Sequence, residues 1–508
     1  MKKNTLSVAL LATLLGLAAC ETKDITPAPN LTGNGTSTNP TNPAGPTVPT
    51  VTVQGTSDPT AGITTNTTWT ANNKYLLKGF VYVTSGATLT IEPGTIILGD
   101  KDTKGALIIE PGAKIMAMGT AAKPIVFTSS QPKGSRNYGD WGGVIITGNA
   151  PVNTTTGRQL AEGGVKTTYG GTNATDNSGV FQYVRIEFAG VAFTPNNEVN
   201  GLTLGGVGSG TTIDHVQVSY SGDDSFEWFG GTVNAKYLVS LRCFDDDFDT
   251  DLGFVGKVQY GVSLRDPLQA DQSGSKAFES DNDDKASTNQ PQTAPVFSNM
   301  TLVGPVLNPS APNYSPQYTA GVHIRRNSAL SLFNSVIMGY PTNLLIDGNP
   351  TATNIAAGTA KVKNNILAGS LTGSNSVAGQ RSIISIAGQS GGGGSLTTNN
   401  VMASDSSSWG AAIGPLTWLK ASGNRRYTTS DNVQLLNPFN LTAPSFQPRT
   451  GSPIIVVPPA TAPVIAPDFT DAKVSDSFFT KAAHIGAFDG STNWLAGWTN
   501  FDPQNTDY

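Results

Sequence analysis

Residues 213–256 read IDHVQVSYSGDDSFEWFGGTVNAKYLVSLRCFDDDFDTDLGFVG. The stretch makes two passes of one pattern. A short apolar strand (215–220, then 237–244) runs into an acidic cluster, then an aromatic or apolar step, then Gly. Matching the passes sets Asp223 and Asp224 against Asp246 and Asp247, 23 residues on. A repeat of that length signals stacked units of a solenoid, which would pile the carboxylates on one side.

Composition agrees. The chain has 508 residues, only 13% of them charged, with 57 Gly. That is poor in helix formers and rich in turn formers, as in an all-β repeat protein. A net charge of -5, with no basic stripe, argues against a nucleic-acid partner.

The beginning of the chain reads as a processing signal. Lys2 and Lys3 precede an apolar run, 6–17, that is too short for a comfortable membrane span. It ends in Leu17-Ala18-Ala19-Cys20, similar to a bacterial lipobox, in which the Cys20 thiol accepts a diacylglycerol. An ordinary secretory signal with a chance Cys is the other reading. The expected organisation is a signal peptide over 1–19, an acylated Cys and a disordered Thr/Pro/Asn-rich tether over 20–65, and a β-helix with a cap over 66–508. The expected location is the cell envelope, as a surface-exposed outer-membrane lipoprotein held to the membrane through Cys20. Cys243, the other cysteine, then has no disulfide partner and reads as a buried core thiol.

Order is expected from about Trp69. Two Ile-Glu-Pro-Gly motifs end at Gly94 and Gly112, each a strand broken by a turn. Further short apolar runs follow at 115–118, 125–127, 144–146, 184–188 and 202–204, with no long helical pattern between them. This excludes a doubly wound α/β fold and fits a parallel β-helix in which inward side chains stack on their like. Polar insertions are expected near 136–179, 286–295 and 304–317, and Gly391 to Gly394 as a loop. The aromatic tail, through Trp494, Trp498 and Phe501, is expected to plug the last coil.

GDWGGVIITGNAPVN, DNSGVFQYVRIEFAG, the SGDDSFEWFGG and DDDFDTD coils, FESDND and IGAFDGSTNWLAGWTNF resemble the right-handed β-helix lipoproteins of Gram-negative envelopes, especially Bacteroidota. The resemblance covers the chain from about Trp69 onward. It implies the fold and the envelope location; the family has no established activity.

The acids carry the chemistry. If 245–252 is extended, Asp245, Asp247, Asp249 and Asp251 share one face. The preceding coil adds Asp223, Asp224 and Glu227; the following one adds Glu279, Asp281, Asp283 and Asp284. Carboxylates stacked this closely stay hydrated, take up protons or bind a cation. Ca2+, with 6–8 oxygen ligands in loose geometry, suits them. The spacing is not an EF-hand, because Thr250 stands where that loop needs Gly. A solvated acidic face, or Asp residues capping turns, is the alternative.

Right-handed β-helices include polysaccharide lyases and hydrolases, so an enzyme of the pectin-lyase-like fold is the rival to a non-catalytic binder of a glycan or envelope protein. Gly222-Asp223-Asp224 is similar to the Gly-Asp-Asp of polygalacturonase-type hydrolases, but their Gly-His-Gly and Arg-x-Lys are missing; His323 with Arg325 and Arg326 comes nearest. A lyase would need an Arg base, with Arg185, Arg242 and Arg265 as candidates. Trp141 and Trp228 could stack on sugar rings, and Arg185 and Arg325 could meet a ligand. No catalytic set is complete.

Overall fold

The computed structural model describes residues 48–194, 197–371, 383–386, 401–402, 415–455 and 465–508. The expected signal peptide, Cys20, the tether up to residue 47 and the Gly391–Gly394 loop lie outside the described residues.

The chain is a right-handed parallel β-helix. Strands of successive coils pair into an 11-stranded sheet, here called the front, and a 17-stranded sheet that bends round a corner. Every second residue of a front strand points into the coil, and like stacks on like. One inward row runs Val144, Leu202, Phe226, Phe248, Phe278, Val322. Ring centroids of Phe226, Phe248 and Phe278 are spaced 5.6 and 5.0 Å. Each fully buried ring of this kind contributes about 1.5–3 kcal/mol.

Strands such as Gly179–Glu187, Thr212–Ser219 and Asn234–Leu241 span the bend. Each turns on one left-handed residue: Tyr183 (φ 50°), His215 (φ 52°), Tyr237 (φ 59°) and, one coil on, Tyr260 (φ 63°). That conformation costs roughly 1–2 kcal/mol for a residue with a Cβ. Stacking offsets it, since the Tyr183–His215 and His215–Tyr237 rings lie 4.3 Å apart and Tyr237–Tyr260 5.1 Å. Later coils place Asn299, Asn334 and Asn364 at the same corner, and Asn tolerates the conformation.

Several expectations are corrected. Order starts before Trp69: Thr50–Gln54 is already a strand, paired in parallel with Lys74–Lys78. Its Thr/Val alternation, in a segment read as tether, is enough to join the sheet. The two Ile-Glu-Pro-Gly turns follow strands of different sheets, so their spacing is not a coil. The acidic coils are offset by 22 residues rather than 23: Phe226 pairs with Phe248. Asp223 therefore aligns with Asp245, and Asp224 with Asp246.

The aromatic tail does pack on the solenoid, but along its flank. Ile485, Phe488, Leu495 and Trp498 share an apolar cluster with Leu241, Leu264, Val303 and Met338, which come from successive coils. Buried side-chain amides hold the tail backbone by paired bonds. Gln217 donates to Asn500 O (2.7 Å) and accepts from Asn500 N (2.8 Å). Gln259 does the same with Thr480, both at 2.8 Å. Asn334 does so with Asp468, at 3.1 and 2.8 Å. The tail is a strap, satisfying along its length backbone groups that burial would otherwise leave without partners.

Candidate functional site

The acids sit where the chain enters the front strands Phe226–Phe229 and Phe248–Asp251. Two stacked corners position them. Cys243 is buried, and its thiol lies 2.9 Å from Asp223 O and 3.1 Å from Asp246 O, tying one corner to the next. Asp224 Oδ1 accepts from Asp246 N (2.8 Å), and Asp246 Oδ1 from Lys276 N (2.6 Å), so each Asp caps the coil after it. Gly222 is required here, because a Cβ would stand 2.6 Å from Gly190 O and 2.9 Å from Gly139 N.

A second row is fixed by strand register: Thr203, Glu227, Asp249, Glu279, His323. Asp249 and Asp251 are half-buried and alternate with inward Phe248 and Thr250. Asp245, Asp246 and Asp247 are not part of that extended run, because the corner intervenes.

The candidate ligands divide by charge partner. Asp247 points into the coil, where it and Arg265 are fully buried at 3.0 Å; it is a structural ion pair, not a free ligand. Lys276 neutralises Asp246 (3.3 Å) and also Glu279. Arg325 chelates Asp281 through Nε (2.8 Å) and Nη2 (3.0 Å) and pairs with Glu279 as well, while Arg326 holds Asp281 at 2.6 Å. Asp283 caps a turn, accepting from Lys285 N and Ser287 N, and Asp284 is exposed. The remaining acids, Asp223, Asp224, Glu227, Asp245, Asp249 and Asp251, form no ion pair among the described residues.

Electrostatics follow that division. Burial first, and neighbouring carboxylates second, push Asp223, Asp224, Glu227, Asp249 and Asp251 well above the ordinary carboxylate range. Burial also raises Asp245, with Lys276 opposing. Burial would raise Glu279 too, but Arg325, Lys276 and His323 outweigh it and hold the carboxyl well below its usual value.

Oxygens of Asp223, Asp224 and Asp245 lie within 4.8 Å of one another, as do those of Asp224, Glu227 and Asp249. Two ligands of one Ca2+ can stand no farther apart than twice the metal–oxygen distance, roughly 4.6–5.2 Å. Both sets therefore fit a Ca2+ shell. Asp224 and Glu227 are buried; Asp223, Asp245 and Asp249 open toward solvent.

The aromatic and basic candidates are corrected. Trp141 is fully buried, stacked near Phe127, with Nε1 donating to Glu187 O at 2.8 Å. Trp228 is fully buried between Phe226 and Phe254. Neither ring is open to a sugar. Arg185 serves the strap, bonding Trp498 O (3.2 Å) and lying 3.4 Å from Glu187. Arg242 pairs with Asp266.

Three residues of the site were not foreseen. Asn200, one coil before Asp224, is 1% exposed and donates its amide to Glu227. Its signal was the alignment of NGLTLGG with DSFEWFGG. Glu162, in the turn between Gln159–Leu160 and Thr168–Tyr169, adds negative field at Glu227. Lys276 was hidden because one of the acids it serves, Asp246, lies on the preceding coil and far back in the chain.

The family described as "Pectate-lyase like beta helix domain" matches residues 61–413, more than half of the chain. No curated protein and no solved structure matches it. The match spans both acidic coils and the front strands that carry them, and the chain belongs to the pectate-lyase-like β-helix domain family.

Proposed function

We propose that this chain is an envelope-anchored, non-catalytic β-helix that takes up Ca2+ on its acidic coils and offers the stiffened front to a glycan or protein ligand. The observation that carries this reading is the set Asp223, Asp224 and Asp245, with oxygens within 4.8 Å of one another and, among the described residues, no ion pair on any of them. In this reading the Leu17–Cys20 box supplies the membrane anchor, and the polar segment after it the tether to a surface-exposed domain. Ca2+ supplies charge neutralisation, and the carboxylates hold it between coils.

Thermal unfolding in CaCl2 against chelator tests the ion. A ligand at a hundred times its Kd stabilises by about 2.7 kcal/mol, so the melting temperature should rise and EGTA should reverse it. An unchanged melting temperature rejects the structural ion. Mass spectrometry of the membrane fraction tests the diacylglycerol on Cys20.

Family membership favours a second reading, a polysaccharide lyase or hydrolase acting near Asp223 and Asp246. Two features weigh against it. The Arg candidates for a lyase base, Arg185, Arg242 and Arg265, are each engaged by a carboxylate. A glycosidase separates two carboxyls by about 5–5.5 or 6.5–9.5 Å round a sugar bond, whereas here three converge. Depolymerisation of an anionic polysaccharide by the purified protein, abolished in Asp223→Asn, would overturn the binder.

A further inference from the structure

Lys276 is the one buried lysine among the described residues, 5% exposed, and it lies between Asp246 (3%) and Glu279 (7%). Its Nζ is 3.3 Å from Asp246 Oδ2 and touches Glu279 Oε2. Its main-chain N donates to Asp246 Oδ1 at 2.6 Å. The side chain is thus folded back on a single carboxyl, which the residue meets from both ends. Asp246 belongs to the preceding coil, 30 residues earlier in the chain.

The use of lysine here is informative. The other buried pairs of these coils use arginine, Arg265 with Asp247 and Arg325 with Asp281. A guanidinium is weakly hydrated, keeps its proton and grips a carboxylate as a fork, so it suits a buried ion pair. An ammonium is strongly hydrated and harder to bury, but it can yield its proton and become a nucleophile. We propose that Lys276 and Asp246 join in an intramolecular isopeptide bond, with Glu279 relaying the protons, so that an amide staples the coil of Asp246 to the coil of Glu279.

The step balances without a co-reactant. Nζ bonds to Asp246 Cγ, and the Cγ–Oδ2 bond breaks. Two of the three ammonium protons pass by way of Glu279 to Oδ2, which departs as water; the third stays on the amide nitrogen. Oδ1 becomes the amide oxygen and keeps its bond from Lys276 N, a donor already placed to steady negative charge on it during the attack. The amide N–H then faces Glu279, which Arg325 holds in place. Contact between amine and carboxyl makes the reaction intramolecular, and burial keeps out the water that would reverse it. Two buried charges give way to one neutral group. The bond stands or falls independently of calcium.

The test is tryptic peptide mapping by mass spectrometry of the purified full-length protein, for the parent, Lys276→Arg and Glu279→Gln. Trypsin cuts after a free lysine and skips an acylated one. The expected parent product is peptide 243–257, which holds Asp246, joined to peptide 266–285, lighter by one water than the two together. Lys276→Arg keeps a cation but removes the nucleophile, and should give linear peptides cut at 276. Glu279→Gln leaves amine and carboxyl in place without the relay, and should also give linear peptides. Linear peptides cut after Lys276 in the folded parent reduce the contact to an ion pair and overturn the bond. A branch that persists in full in Glu279→Gln overturns the relay.

Discussion

Tyr508→Phe isolates the latch at the end of the strap. The Tyr508 hydroxyl donates to the Glu187 carboxylate, lying 2.5 and 2.7 Å from its oxygens, and Glu187 is 1% exposed. The ring lies beside Arg136, 4.9 Å from its centroid, and Phe keeps that contact. What is lost is chiefly the hydrogen bond to a buried charge, worth about 1.5–3 kcal/mol, together with the one the hydroxyl accepts from Asn500 Nδ2 (3.2 Å). Protection of the tail amides against hydrogen exchange should therefore fall roughly 10- to 150-fold. The pH dependence has a definite sign. Burial raises the Glu187 carboxyl, opposed by Arg185 and by the Tyr508 hydroxyl. A carboxyl whose folded value stands above its unfolded one favours folding in acid and loses that contribution as pH rises through the folded value. Removing a donor to the ionised form moves the folded value further up. The deficit of the variant should thus be small at acid pH and full at alkaline pH, after correction for intrinsic exchange. Unchanged protection of the tail, or a deficit that grows on acidification, would refute the latch.

Arg265→Met leaves Asp247 buried without its cation and should cost about 3–5 kcal/mol in denaturant unfolding; Asp247→Leu added to it should restore most of the loss, since apolar replacement of a buried pair is often neutral or better. Phe248→Ala cuts the middle ring from the Phe226–Phe278 stack and should cost about 3–5 kcal/mol, with far-ultraviolet circular dichroism unchanged at low temperature. Gln259→Leu strands Thr480 N and O; exchange at the Thr480 amide should rise well above that of the Asn500 amide, which Gln217 still holds.

The sequence carried the coil but not its register. Repeated short runs of Val, Ile and Phe between Gly-rich turns permit one economical burial, a stack of like residues, and the Val144-to-Val322 row is that stack. The register slipped by one residue because Asp-Asp can be laid on either end of Asp-Asp-Asp. Phe226 on Phe248 decides it, and a one-residue shift sends Asp247 into the coil toward Arg265 instead of outward. Trp228 was legible in principle: it lies two residues from Phe226 in one strand and so shares its inward parity. The strap was half legible. Its aromatics demanded burial, but the surface receiving them is assembled from Leu241, Leu264 and Val303 on separate coils, which no local pattern marks. Least legible were the ion pairs, because Lys276, Arg265 and Arg325 become partners of the acids only after the insertions between coils are closed.

A parallel solenoid superimposes equivalent positions at about 4.8 Å, so any charge repeated in register repels its copy. The chain manages this on the coils after Asp249 by interleaving signs: Glu279 and Asp281 alternate with Lys276, His323 and Arg325, and Asp347 follows at 3.3 Å from His323. That arrangement is self-sufficient and needs nothing from solvent. The two coils before it stack Asp223 on Asp245 and Glu227 on Asp249, with no ion pair on these four among the described residues. A local departure from the rule that the neighbouring coils obey marks a place where stability is given up. Asp223, Asp245 and Asp249 open to solvent, so a cation can reach them from outside. The compensated coils thus serve as an internal reference: neutralising Glu279 by Glu279→Gln should leave the response to calcium intact, whereas Asp249→Asn, one coil away on the same row, should alter it. Equal loss of calcium response in both would mean that the whole ladder acts as one diffuse negative field, and the distinction between paired and unpaired acids would have no functional content.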